Sequence, residues 1–375
     1  MLKRHLSVDA CAFKVLAQNA SLMVGGLFIA LLLAEMVVRA YEVGIVAPGP
    51  TGWELTAVRR IVYQPVDNEA LDYTLKPNMQ YKFEHIRVVI NSQGLRDDLV
   101  SLEKPRGVYR ILGLGDSVTF GWQVDQRETY LAQLESMLNA DDPSRRYEVI
   151  NAGMPGYNMS NELAYLSEHG MRYQPDLVIV GFCALNDADG TRAVYMRDGN
   201  IAYVPLDSSF APTDAGGVVA RVKGFLRRKS RLYHFVTQQY GMLRSRWRKN
   251  SQTSGSAASH WPFPLEEEDE LWERIRSQIL EIQDAAEEHG ARLLLVVFPT
   301  KSQVMSKDAP LVPQEVLADF AQRIDIPIVD PLPAFREQGP SLVFADDFSH
   351  PSAFGHQLVA EEVFSLLQEM GIVAR

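Results

Sequence analysis

The sequence predicts an α/β fold: a three-layer α/β/α sandwich around a doubly wound, mainly parallel, flavodoxin-like sheet, with one transmembrane helix ahead of it. Three observations predict this. Apolar runs of strand length at residues 176–181 (DLVIVG) and 292–298 (RLLLVVF) are continuous rather than alternating, as in strands covered on both faces. Stretches with helical apolar spacing lie between the strand runs, and strands alternating with helices imply a parallel sheet. Several strand runs also end in turns rich in glycine, asparagine or serine, where an open parallel sheet gathers its polar groups.

From the N-terminus, residues 20–38 are apolar apart from Ser21 and Glu35, close to the ~20 residues that cross a bilayer as a helix. Lys3, Arg4 and Lys14 precede the run, which predicts the N-terminus inside and the rest outside. A cleaved signal peptide is the competing reading, but its nearest cleavage candidate, Val38-Arg39-Ala40, carries an arginine. Glu35 and Arg39, four apart, are placed to pair on one helix face at the outer interface. The expected division is a cytoplasmic tail at 1–19, a membrane anchor at 20–40, a linker and the start of the folded region at 41–80, and a folded domain at 81–375. The anchor implies a single-pass protein of the cytoplasmic membrane, with its folded domain on the periplasmic side.

Within the domain, residues 87–90 form a short strand ending in the Asn91-Ser-Gln-Gly94 turn. Residues 108–114, 147–150, 176–181, 292–298 and 326–329 are the next strands. Helices are expected at 128–138, 161–170, 266–289, 313–323 and 351–370. Residues 191–265 lack clean alternation and are an insertion. Its segment 221–249 is strongly basic: a solvated helical face or a surface for anionic headgroups or glycans.

Composition narrows the function. Net charge is −10, with 46% hydrophobic and 22% charged residues, ordinary for a globular chain and opposed to general nucleic-acid binding. The two cysteines, Cys11 and Cys183, form no metal-binding spacing, and Cys183 follows an apolar run as a buried thiol does.

The chemistry lies at the strand ends: Gly115-Asp116-Ser117, then Asn151-Ala152-Gly153, then Asn186-Asp187, and finally Asp347-Phe-Ser-His350 before the last helix. A serine hydroxyl is a weak nucleophile and needs a base. His350 can supply it, and Asp347 can fix the imidazole tautomer. Backbone N–H groups of Ser117 and Gly153, with the Asn186 amide, can hold an oxyanion. His356 is a rival base, but its place in the first turns of the last helix favours a structural role. An α/β-hydrolase elbow is excluded because Thr119 stands where the second glycine belongs. A dinucleotide fingerprint and a Walker lysine are absent as well.

In this order the four blocks resemble the SGNH (GDSL-type) hydrolases, whose serine, glycine, asparagine and histidine match Ser117, Gly153, Asn186 and His350. The similarity covers roughly residues 85–190 and 265–370. Asn91-Ser-Gln-Gly94-Leu-Arg96 is similar to a stretch common in membrane-anchored bacterial members. The third block departs from the family, with Ala184 two residues before Asn186. The resemblance implies an esterase without metal or organic cofactor, acting on acyl groups of a carbohydrate or lipid. Alternatives are an acyltransferase modifying an envelope glycan, and a catalytically silent glycan-binding or assembly protein.

Overall fold

The computed structural model describes residues 14–15, 18–19, 21–23, 25–26, 29–37, 63–68, 70–83, 86–188, 191–195, 201–205, 232, 263–266, 269–346 and 349–373. Two compact units share them: residues 1–55 with 213–258, and residues 56–212 with 259–375. In the first unit the described residues from 14 to 37 are helical. Glu35 Oε2 accepts from the Leu232 N–H at 2.9 Å; its expected partner Arg39 lies outside the described residues, as do Cys11 and nearly all of the basic segment. No helix among the described residues is long and apolar enough to cross a membrane.

The second unit contains two antiparallel hairpins, β1 (Tyr63–Pro65) with β2 (Tyr73–Leu75) and β3 (Met79–Phe83) with β4 (Ile86–Ile90). A five-stranded parallel sheet follows, built from β5 (Val108–Gly115), β6 (Arg146–Asn151), β7 (Leu177–Cys183), β10 (Arg292–Phe298) and β11 (Ile328–Val329). Its spatial order is β11-β10-β7-β5-β6, so the chain steps to one side of β5 and then reverses. This is the flavodoxin-like doubly wound order, with a switch point between β5 and β7. β8 (Thr191–Tyr195) and β9 (Ile201–Pro205) form a further hairpin inside the inserted stretch that lacks clean alternation.

Every residue of β5 and β7 is buried. Successive side chains point to opposite faces. Ile111, Ile179 and Leu294 therefore enter one core with helices α2 (Tyr130–Asp141), α8 (Leu332–Gln338), α9 (Pro340–Val343) and α10 (Ala353–Glu369). Leu112, Val178 and Leu295 enter the other with α3 (Met159–Glu168), α5 (Glu270–Glu287) and α7 (Val312–Arg323). Covering both faces explains why the strands are continuously apolar, and the sheet of the predicted sandwich is confirmed.

The ends of elements follow local chemistry. The helix expected from residue 128 starts at Tyr130, because Thr129 Oγ1 caps the Ala132 N–H. Asn158, Asp269 and Ser352 cap α3, α5 and α10 in the same way. The strand expected at 326–329 shrinks to two residues, since Pro327 has no N–H to donate, although its carbonyl accepts from Leu295.

Candidate active site

The register aligns the strand ends. Gly115 lies beside Gly181, Gly113 beside Asn151, and Cys183 beside Phe298. The segments leaving β5, β6, β7 and β10 therefore emerge on one edge of the sheet, at its switch point. Gly115 has φ +152°, and a Cβ there or at Gly181 would strike Thr119 Oγ1, so both strands must carry glycine for that hydroxyl to fit between them.

Beyond Gly115 the chain turns into the four-residue helix α1 (Ser117–Phe120). Asp116 is its N-cap, and Oδ1 accepts from the Val118 N–H at 2.7 Å. This turn presents Ser117, whose Oγ lies 2.9 Å from His350 Nε2. His350 Nδ1 lies 2.6 Å from Asp346 Oδ2, and the His350 backbone N–H donates to Asp346 Oδ1 at 3.2 Å. A carboxylate on Nδ1 requires the proton there, which leaves the Nε2 lone pair facing the serine. Asp347, the expected orienting group, lies outside the described residues; the carboxylate placed against His350 is that of its neighbour Asp346.

The histidine loop is tied down on several sides. Ser349 adopts φ +67°, a strained backbone for a residue with a Cβ. Its Oγ accepts from the Lys301 N–H at 2.8 Å, at the start of α6 (Lys301–Met305). Lys301 Nζ donates to the Asp346 carbonyl at 3.1 Å. Ala345 N–H donates to the His350 carbonyl at 2.9 Å, closing the turn between them.

The three expected oxyanion donors differ in circumstance. Ser117 N–H opens α1, where no preceding turn supplies an intrahelical acceptor. Asn186 sits in α4 (Ala184–Asp187), directly after β7, and its Nδ2 donates to Asp116 Oδ2. Gly153 N–H donates to Asn151 Oδ1 at 3.0 Å. Gly153 also packs on α1 so closely that a Cβ would strike the backbone of Thr119 and Phe120. Its lack of a side chain is thus required by packing, whatever its N–H does in a reaction.

Electrostatically, the floor of the site is acidic and buried, and burial disfavours the charged forms of its carboxyls. Burial pushes the Asp116 carboxyl up, against the opposing pull of the Val118 N–H, the His350 charge and the Asn186 amide. Burial holds Glu162, on α3, well above the usual carboxylate range, and the charges of Asp187 and Asp116 add to it. Asp187 Oδ2 accepts from the Cys183 N–H at 2.6 Å, which fixes α4 to the end of β7. Cys183 is buried with its thiol pushed far up by the same desolvation, so it is no nucleophile. His356 is fully buried, its Nδ1 accepts from the Tyr130 N–H at 3.2 Å, and desolvation lowers its pKa to about 3. It does not serve as the rival base.

Sequence reasoning missed two members of the constellation. Asp346 is hidden by its neighbour, since two consecutive aspartates both precede His350. Asp116 joins the nucleophile turn to Asn186, and its signal was the helix N-cap preference for aspartate just before the serine.

The profile of the GDSL-like lipase/acylhydrolase family matches residues 114–358, more than half of the chain. No curated protein matches by sequence. Among solved structures, a lipase/acylhydrolase from Enterococcus faecalis is similar at 16% identity and a TM-score of 0.40, covering 70% of this chain and 96% of that one. An acetylxylan esterase from Geobacillus stearothermophilus, solved as a catalytic mutant, is similar at 18% identity and a TM-score of 0.40, covering 70% and 94%. A two-domain esterase active on acetylated mannans has 15% identity and a TM-score of 0.41; 70% of this chain aligns, which spans 49% of that protein.

Proposed function

This chain belongs to the GDSL-like lipase/acylhydrolase family of carboxylic ester hydrolases, and from that premise we propose an extracytoplasmic serine esterase that removes short acyl groups, acetyl first, from a carbohydrate or lipid. One observation carries the reading: Ser117 Oγ lies 2.9 Å from His350 Nε2, and Asp346 lies 2.6 Å from His350 Nδ1.

In the reaction, Ser117 Oγ attacks the ester carbonyl while His350 Nε2 takes its proton. Asp346 keeps the proton on Nδ1 and stabilises the imidazolium that forms. The Ser117 N–H and the Asn186 amide hold the oxyanion, and Gly153 joins them by releasing Asn151. Collapse of the tetrahedral intermediate breaks the ester C–O bond, and His350 returns the proton to the departing alcohol. Water then attacks the acyl-serine with His350 again as base, releasing the acid and restoring Ser117.

Placement outside the cytoplasmic membrane is part of the proposal. It is supported by the apolar run at 20–38 behind a basic leader, and by the exposure of Leu22, Met23, Ile29, Leu32, Met36 and Val37 on its helical residues. An exposed apolar surface of this kind needs a covering, and lipid tails provide one.

The test compares the wild type with Ser117→Ala on p-nitrophenyl esters of increasing chain length, then on acetylated xylan and mannan. Ser117-dependent release, fastest for acetyl, is expected. Hydrolysis that survives Ser117→Ala overturns the mechanism, and a preference for long chains overturns the acetyl assignment.

A further inference from the structure

Residues 91–98 precede the family match, yet they form a rigid loop against the nucleophile turn. Asn91 Oδ1 accepts from the Gln93 and Leu95 N–H groups at 2.8 and 3.0 Å, and its Nδ2 donates to the Asp98 carbonyl at 3.0 Å. Gly94 takes φ +79°, and Leu95 is buried. The loop so built delivers two side chains. The Arg96 guanidinium is 1% exposed and lies over the Phe120 ring at 4.8 Å. It donates to the Phe120 carbonyl at 2.9 Å, to the Gly121 carbonyl at 2.5 Å and to the Val124 carbonyl at 2.6 Å. Asp97 Oδ2 accepts from the Asn151 N–H at 2.7 Å.

These contacts meet a specific need. A single helical turn cannot sustain itself, and its last carbonyls have no intrahelical donors. In α1 the Ser117 carbonyl accepts from the Trp122 N–H and the Val118 carbonyl from the Gly121 N–H. The Thr119 carbonyl accepts from Asn151 Nδ2 at 2.9 Å. The Phe120 carbonyl falls to Arg96, and the Gly121 carbonyl to Arg96 together with the Val124 N–H at 3.3 Å. Cation and fork also sit at the negative end of the turn, where both are favourable. Asn151, which Asp97 holds, in turn accepts from the Gly153 N–H.

We infer that Arg96 is a positioning residue for Ser117: its guanidinium fork locks the C-terminal end of the nucleophile turn, and Asp97 locks the adjoining Asn151 turn to the same loop. The inference rests on the proposed role of Ser117. Arg96 touches no reacting atom, so its removal acts on kcat through the placement of Ser117 Oγ and N–H.

The experiment measures Arg96→Ala and Arg96→Lys in the full chain on p-nitrophenyl acetate, with and without methylguanidinium. It also follows hydrogen exchange of the peptides covering residues 118–124 and 292–298. For Arg96→Ala, kcat falls about 100-fold with KM changed less than about threefold, as for a nucleophile displaced by about an ångström. Methylguanidinium restores part of that loss. Lysine, a point charge without the planar fork, does not replace arginine. Amides of 118–124 exchange faster in both variants while those of 292–298 do not. A folded Arg96→Ala with wild-type kcat overturns the inference. If Arg96→Ala does not fold, Arg96→Lys decides it, and equal exchange change at both peptides overturns it. Loss of Ser117-dependent hydrolysis in the wild type itself sinks the esterase reading instead, and the exchange pattern then judges the clamp alone.

Discussion

At the residue scale, the meeting of Ser117 and His350, the proposed nucleophile and base, was legible because each stands at a forced position. A serine behind a glycine-ended strand must sit at the sheet edge, and a histidine just before the last helix reaches the same edge. Which carboxylate stands against His350 was not legible by spacing. Asp346 and Asp347 precede His350 by four and three residues, and either spacing suits a carboxylate delivered to the imidazole by a turning loop. The left-handed backbone at Ser349 contributes to the path of that loop, and φ is not written in a serine. The placement of Asp346 Oδ2 at 2.6 Å from His350 Nδ1 gives a sharp expectation. Asp346→Asn presents an amide that favours the wrong tautomer, and kcat drops by about 10³–10⁴-fold, the scale of such a change in a serine triad. Asp347→Asn changes kcat far less. Steady-state kinetics of the two variants decide it, and the reverse ranking returns the role to Asp347. Gly153 shows the other kind of partial legibility. It was expected as an oxyanion donor, and the structure shows the place of its missing Cβ filled by a close approach to the backbone of Thr119 and Phe120.

At the element scale, long helices and buried strands were legible because their apolar periods repeat over many residues. The three-residue strands β1 and β2 carry too few positions to show a period, and one-turn helices such as α1 exist only through tertiary partners. Helix α10 shows how such partnership creates pH dependence. Its His356 is buried against α2, where Nδ1 accepts the Tyr130 N–H and the rings stack at 6.1 Å between centroids. Arg96 and His350 face the same imidazole and, after desolvation, further disfavour its charge. The folded-state pKa of about 3 lies below the ordinary 6.5. The unfolded chain therefore binds a proton below pH 6.5 that the folded chain refuses until about pH 3, and stability is lost as pH falls through that window. The loss is bounded at about 4–5 kcal/mol, taking 1.36 kcal/mol for each pH unit. His356→Asn keeps an acceptor for Tyr130 but cannot titrate. Urea denaturation of the variant between pH 7 and pH 4 should show a shallower decline than the wild type; parallel declines would mean that other groups set the acid limb.

At the scale of the whole unit, the strands β1 and β2 stand within the 41–80 stretch expected as linker and start of the folded region. Tyr63, Leu71, Tyr73 and Leu75 belong to the same buried cluster as Leu112, Val178 and Leu295 of the sheet. Tyr73 is fully buried, packs edge-on against Tyr63 and Tyr157, and donates to the Pro155 carbonyl at 2.8 Å. Pro155 follows the Gly153 turn, so the first hairpin braces the loop after β6 as well as the core. Composition could not reveal this, because a few tyrosines and leucines between prolines look the same in a linker as in a clamp. A continuous core has a cooperative consequence. Emptying one part of it destabilises the whole, since no separate boundary lets the hairpins unfold first. Tyr73→Ala removes a large buried ring and should cost about 3–5 kcal/mol, whereas Tyr73→Phe removes the hydroxyl that donates to Pro155 and should cost about 0.5–1.5 kcal/mol. Both should shift one denaturation transition, seen at the same midpoint by far-ultraviolet dichroism and by loss of esterase activity. If activity instead vanishes in an early transition while the sheet's dichroism persists, the hairpins unfold on their own, and the shared core does not bind them to the sheet.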